Sequence, residues 1–120
     1  MRSVEIIQME NKYTARNYNP ADVVITRGKG VWVWDMEGTR YLDCVSGFGA
    51  VNQGHCNPKI HRALIEQSEK LTLISGAFRT ELLGSFSQEI CEATGSDRAL
   101  FMNSGVEAVE TALKVMRKWG

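Results

Sequence analysis

The stretch from Ala99 to Lys118 changes character twice. Ala99-Leu100-Phe101-Met102 is short and apolar, and Asn103-Ser104-Gly105 is a small polar turn. From Val106 onward apolar residues recur at helical spacing. Strand, tight turn and helix in that order is the unit from which α/β folds are built. The first turn of a helix carries N–H groups without internal partners, so Ser104, Gly105 and Val106 form a natural anion cradle. Ser104 serving only as a helix cap accounts for the same spacing, and both readings stand. Leu100–Met102 is expected to be a strand buried on both faces. In the helix, Val106, Val109, Leu113 and Met116 form the expected buried stripe. Glu107 and Glu110 near its start and Lys114, Arg117 and Lys118 near its end suit the helix dipole. Helical side chains project outward, so the early glutamates are expected to leave the Ser104 hydroxyl free.

Upstream, β-branched and aromatic runs alternate with glycine turns. Val23–Thr26, Val31–Trp34 and Tyr41–Val45 read as three strands, with turns at Gly28-Lys29-Gly30 and Asp35-Met36-Glu37-Gly38. This pattern predicts a small antiparallel sheet. Trp32 and Trp34 share one face; they suit a core or interface, or a platform for a base or sugar. Residues 1–19 are polar and weakly patterned and read as an N-terminal arm ending at Asn19-Pro20.

Ser46 to His55 holds three glycines in its first nine residues and one large side chain, Phe48. Glycine lets a backbone turn sharply or approach a ligand closely, so this loop is either a ligand-facing segment or a plain connector. Asn57-Pro58 starts a helix, with Ile60, Ala63, Leu64 and Leu71 on its apolar stripe. A further helix runs from about Thr80 to Ala93, bearing Leu82, Leu83, Phe86 and Ile90, and Thr94-Gly95 ends it.

Fourteen basic and fourteen acidic side chains cancel, which argues against a nucleic-acid partner. No apolar run reaches the roughly 18 residues of a membrane span, and Met1–Glu5 has no signal-peptide core. Cys44, Cys56 and Cys91 lack CxxC spacing and read as reduced thiols in a cytoplasmic protein. His55-Cys56 has no second ligand pair in the sequence, so no metal site is expected.

Four motifs now converge. Arg27–Asp35 (RGKGVWVWD), Gly38–Asp43 (GTRYLD), Ala50–Pro58 (AVNQGHCNP) and Asn103–Ala112 (NSGVEAVETA) resemble the N-terminal part of class III, pyridoxal-phosphate-dependent aminotransferases. Within that family the ornithine-type enzymes are most similar, and the resemblance runs from about Tyr18 to Gly120. It implies an α/β fold: the N-terminal segment of a fold type I transferase, a small antiparallel meander with helices followed by the start of a large, mostly parallel sheet domain. The implied division is an arm over 1–19, part of the small domain over 20–75 and the truncated start of the cofactor domain over 76–120. The implied cofactor is pyridoxal 5'-phosphate, with its phosphate on Ser104, Gly105 and Val106. Tyr18 resembles a substrate-contacting tyrosine, and Phe48 stands where a second tyrosine lines the substrate entrance.

The implied reaction moves the δ-amino group of ornithine to 2-oxoglutarate, giving glutamate and glutamate semialdehyde, in a homodimer or larger assembly. Two positions depart from the pattern. Phe48 lacks the tyrosine hydroxyl, and Gly76 stands where related sequences often carry arginine. Acetylornithine or another ω-amino acid is therefore an alternative donor. In the family the lysine that holds the cofactor, the carboxylate beside its ring nitrogen and the arginine for the substrate carboxylate all lie beyond residue 120. None of Lys12, Lys29, Lys59, Lys70, Lys114 and Lys118 sits in such a pattern, so no catalytic residue is expected in this chain. The chain by itself is then expected to be inactive and to associate with copies of itself or with the remaining C-terminal polypeptide. A non-catalytic assembly module and an independent anion-binding module are the other readings.

Overall fold

The computed structural model describes residues 2–15 and 17–120. The chain divides into two compact units, residues 1–72 and 73–120.

The first unit opens with a helix, α1 (Ser3–Tyr13), within the N-terminal arm, whose weak patterning does not announce a helix. The local chemistry explains it. The Glu5 carboxylate accepts from the Arg2 backbone N–H at 3.0 Å and from Arg2 Nε at 3.1 Å, and Lys12 lies in the last turn. The Ser3 hydroxyl donates to the Glu37 carboxylate, tying α1 to a sheet turn. Val4, Ile6, Ile7 and Met9 spread around the helix rather than along one stripe, which hides it from a periodicity search.

Three strands follow: β1 (Ile25–Lys29), β2 (Trp32–Asp35) and β3 (Arg40–Leu42), antiparallel in the order β1-β2-β3. Lys29 pairs with Trp32, so the β1–β2 turn is Gly30-Val31, with Gly30 at φ 58°. Gly28 lies inside the strand, not in the turn the sequence indicated. The β2–β3 turn is held by Asp35, whose carboxylate accepts from the Thr39 N–H at 2.7 Å and the Tyr41 hydroxyl at 2.8 Å. Burial pushes the Asp35 carboxyl up, and hydrogen bonding from Tyr41, Thr39 and the Glu37 backbone outweighs it, leaving its pKa lowered. β3 ends at Leu42, short of the expected Val45, because Asp43 turns its carboxylate onto the next amides.

On one face of the sheet the Arg27 guanidinium stacks 3.9 Å from the Trp34 ring centre and that of Arg40 lies 4.3 Å from Trp32. Those contacts cover the indole faces from within the chain. The unit closes with α2 (Pro58–Lys70), capped by the Asn57 side chain, which accepts from the Lys59 N–H at 3.0 Å.

The second unit holds α3 (Glu81–Thr94) and α4 (Gly105–Trp119). Thr80 caps α3, and Gly95 ends it at φ 69°. Leu100–Met102 does not form the expected strand. A strand needs a hydrogen-bonded neighbour, and among the described residues this segment has none. It runs beside α4 instead, with Phe101 stacked on Phe86 at 4.9 Å. Leu100, Met102, Ala108, Thr111, Ala112, Val115 and Met116 line an apolar cleft of about 370 Å³ there.

The core is small. Val33 and Asp35, each 8% exposed, are the buried side chains among the described residues. The expected stripe Val106, Val109, Leu113 and Met116 stays 52–77% exposed, and Ile60 and Leu64 of α2 are exposed too, at 50% and 65%. The correction has a simple cause: α4 is apolar over about half of its circumference, a face broader than one narrow stripe, and the Leu100–Met102 segment covers only part of it. Two separately compact units of these lengths would together expose roughly 7,800 Å². The chain exposes 11070 Å².

Candidate cofactor and substrate site

At the start of α4 the sequence builds a polar cap. Ser104 is extended (φ −146°) and its hydroxyl oxygen accepts from the Glu107 N–H at 3.3 Å. The same hydroxyl donates to Glu107 Oε2 at 3.1 Å. This corrects the expectation that the early glutamates point away: Glu107 folds back over the cap. The next amides, of Gly105 and Val106, find no acceptor among the described residues. A Cβ placed on Gly105 would meet nothing within 4 Å, so the approach to these amides is open.

This donor set suits a phosphate group: two unpaired N–H groups and a hydroxyl at the positive end of a 15-residue helix. Glu107 opposes it only while it stays folded back. The Ser104–Glu107 contact is one hydrogen bond to a charged group, worth about 1.5–3 kcal/mol, and each hydrogen bond to a phosphate falls in the same range. Two or more bonds to phosphate therefore outweigh the glutamate contact, and the carboxylate can swing out.

In the first unit, the glycine loop is built around a carboxylate and an imidazole that sequence reasoning missed. Asp43 Oδ1 accepts from the Val45 N–H at 3.0 Å and the Ser46 N–H at 2.9 Å. Asp43 Oδ2 lies 2.8 Å from His55 Nε2. The Ser46 amide, then the His55 ring and the Val45 amide, hold the Asp43 carboxyl below its usual range. His55 exchanges two backbone hydrogen bonds with Gly30, at 2.9 and 2.8 Å. Its ring sits directly on Gly28, where a Cβ would come within 2.7 Å of Cγ. The sequence signal was a glycine in the middle of a β-branched and aromatic meander, a place where another group comes close.

Between Asp43 and Asn57 the backbone is strained. Ser46, Phe48 and Cys56 have φ of 50°, 55° and 54° without being glycine. Each such residue costs on the order of 1 kcal/mol and persists only where its surroundings impose it. Phe48 stands out from the loop at 95% exposure.

Tyr18 lines a cavity of about 730 Å³ with residues of α1, including Ile7 and Glu10, and with Asn19–Ile25. Phe48 is not among that cavity's lining residues. Gly76 lies in the second unit with open space around it. Tyr18 and Phe48 thus belong to the first unit, and Ser104, Gly105 and Val106 to the second. Cys44 and Cys56 are exposed free thiols, and Cys91 is partly covered.

The sequence model of the class-III aminotransferases matches residues 13–120, and the chain belongs to that family. It is the N-terminal segment of a fold type I, pyridoxal-phosphate-dependent transferase. Ornithine aminotransferase of Bordetella pertussis is 53% identical over 113 residues, which are 94% of this chain and 28% of that protein. The solved acetylornithine aminotransferase of Elizabethkingia anophelis superposes with a TM-score of 0.91 at 52% identity, covering 99% of this chain and 31% of that one. Ornithine delta-aminotransferase of Plasmodium falciparum gives 0.93 at 46% identity, again over 99% of this chain and 31% of that structure. The chain thus spans under a third of the length of these relatives.

Proposed function

We propose that this chain is the N-terminal part of an aminotransferase that moves the δ-amino group of ornithine to 2-oxoglutarate, giving glutamate semialdehyde and glutamate. The observation that carries it is the pair of unpartnered amides at Gly105 and Val106, beside a capping hydroxyl, in a class-III aminotransferase. Pyridoxal 5'-phosphate, when bound, supplies the electron sink that transamination needs. This chain's share is binding and shaping. Gly105 and Val106 donate N–H to the phosphate, Ser104 adds its hydroxyl, and Glu107 swings clear. Tyr18 and Phe48 contact the amino donor at the entrance.

No lysine here is assigned to covalent catalysis. Lys114 is paired with Glu110 at 2.9 Å, and Lys12 lies over the Tyr13 ring. The chain alone is therefore expected to be inactive. The exposed stripes on α2 and α4 fit coverage by the remaining polypeptide and a second subunit. The assembly proposed is a homodimer in the cytoplasm.

A second reading is favoured by Phe48 and by the similarity to an acetylornithine enzyme: a donor whose α-amino group is acylated. The test is donor specificity of the full-length enzyme. Ornithine turned over with glutamate semialdehyde as product supports the first reading, and preference for acetylornithine supports the second. Absence of any transamination would leave an assembly module. A companion check adds pyridoxal phosphate to the chain alone. A protein-bound visible band would overturn the assignment of the catalytic lysine to a region outside it.

A further inference from the structure

We propose that Asp43 and His55 are positioning residues for amino-donor binding: one carboxylate fastens both ends of the loop that carries Phe48. The inference rests on the reading of Phe48 as a wall of the donor entrance.

The loop enters through Val45 and Ser46, whose N–H groups both donate to Asp43 Oδ1. It leaves through His55, whose Nε2 meets Asp43 Oδ2 at 2.8 Å. A single side chain thus spans the two ends of a segment with four left-handed residues in a row, Ser46 to Gly49. Such a backbone does not hold itself. The loop's own hydrogen bonds, such as Val51 N–H to Ser46 O at 3.0 Å and Gly54 N–H to Val51 O at 2.8 Å, close small turns within it. They do not attach it to the sheet. Attachment comes from Asp43 at the end of β3 and from the His55–Gly30 backbone pair at the β1–β2 turn.

Three further details fit a clasp. Gly28 has no side chain where the imidazole lies, so the ring is seated on the strand. A Cβ on Gly54 would meet the Gly30 backbone at 3.2 Å, so the end of the loop also packs tightly on the turn. Asp43 and His55 are largely covered, at 15% and 26% side-chain exposure, while Phe48 between them is 95% exposed. The covered pair holds and the exposed ring is what it presents. A general-base role for the same pair finds no support, since the other ring nitrogen lies over Gly28 and meets no hydroxyl or thiol among the described residues.

The test uses the full-length holoenzyme and its variants Asp43→Ala, Asp43→Asn and His55→Ala. Two readouts are taken: hydrogen exchange of residues 46–54, and KM and kcat for the amino donor. Asp43→Ala and His55→Ala should speed loop exchange on the order of tenfold. They should raise donor KM about fivefold, with kcat held within about twofold. Asparagine keeps an acceptor for the two amides and offers an N–H to His55, so Asp43→Asn should restore most of both. If Asp43→Ala does not fold, Asp43→Asn and His55→Ala still decide the matter. Unchanged loop exchange in His55→Ala overturns the clasp. Faster exchange with unmoved donor KM overturns the positioning role. Phe48→Ala with unmoved donor KM points to failure of the entrance reading instead, since the loop would still loosen in His55→Ala.

Discussion

Ser104 and Glu107 satisfy each other at the head of α4: the serine oxygen accepts from the Glu107 amide at 3.3 Å, and its hydroxyl donates to Glu107 Oε2 at 3.1 Å. The pair caps the helix and at the same time stands beside the two amides, Gly105 and Val106, proposed to hold the cofactor phosphate. On that proposal stability and binding share one hydroxyl. Ser104→Ala should lower stability by about 1 kcal/mol, the usual cost of losing an N-cap, and should also weaken pyridoxal-phosphate binding. Ser104→Thr should keep both. Denaturant melts and cofactor titrations of the full-length enzyme check the two effects separately. A stability loss without any change in cofactor affinity would leave Ser104 a cap and nothing more.

Phe48 offers a ring without a hydroxyl at the tip of a strained loop. Phe48→Tyr adds that hydroxyl without altering the backbone. A hydrogen bond regained to the donor is worth about 0.5–1.5 kcal/mol, roughly 2- to 13-fold in kcat/KM. The expected result is a gain of that size for ornithine relative to acetylornithine. Equal change for both donors would separate Phe48 from donor choice.

Acid should undo the first unit through its two hydrogen-bonded aspartates. Asp35 and Asp43 both have lowered carboxyl pKa values in the folded chain. A carboxyl depressed in the native state adds stability that is present above its unfolded value, about 3.9, and lost as pH falls through the folded value. Unfolding free energy measured against pH should be level above that range and decline below about pH 4. In Asp43→Asn the decline should shrink, because only Asp35 of the two remains to be protonated.

Gly28→Ala tests the seat beneath His55. The added methyl would lie 2.7 Å from Cγ and 2.8 Å from Cβ of the imidazole, so the ring must lift off β1. Overpacking of this kind costs about 1–3 kcal/mol. The variant should melt earlier than the parent. Gly76→Ala, with open space around that position, serves as the comparison and should differ little.

Much of the local structure was readable from residue order. Asn57-Pro58 marked the start of α2, Thr80 and Gly95 bracketed α3, and Ser104 marked α4, because caps act within a turn of their own position. The meander was readable too, though its register was not: Gly28 looked like a turn and lies in a strand. That placement depends on His55, 27 positions later, which no local window contains. The helix α1 escaped because its stability comes from Glu5 and Lys12 at its ends rather than from an apolar stripe.

Residue order alone specifies the family, the capped helix with its unpaired amides, and the glycine-rich loop bearing Phe48. These rest on short-range chemistry and on motif order, both carried by the chain as written. Folding in three dimensions sets Asp43 against His55 across the loop, turns Glu107 back onto Ser104, and leaves Leu100–Met102 without a β partner among the described residues. The first is a contact between residues far apart in sequence. The second is a rotamer, and the third depends on which strands are present to pair. None of the three is fixed by residue type or spacing, because each depends on where the backbone carries a group after folding.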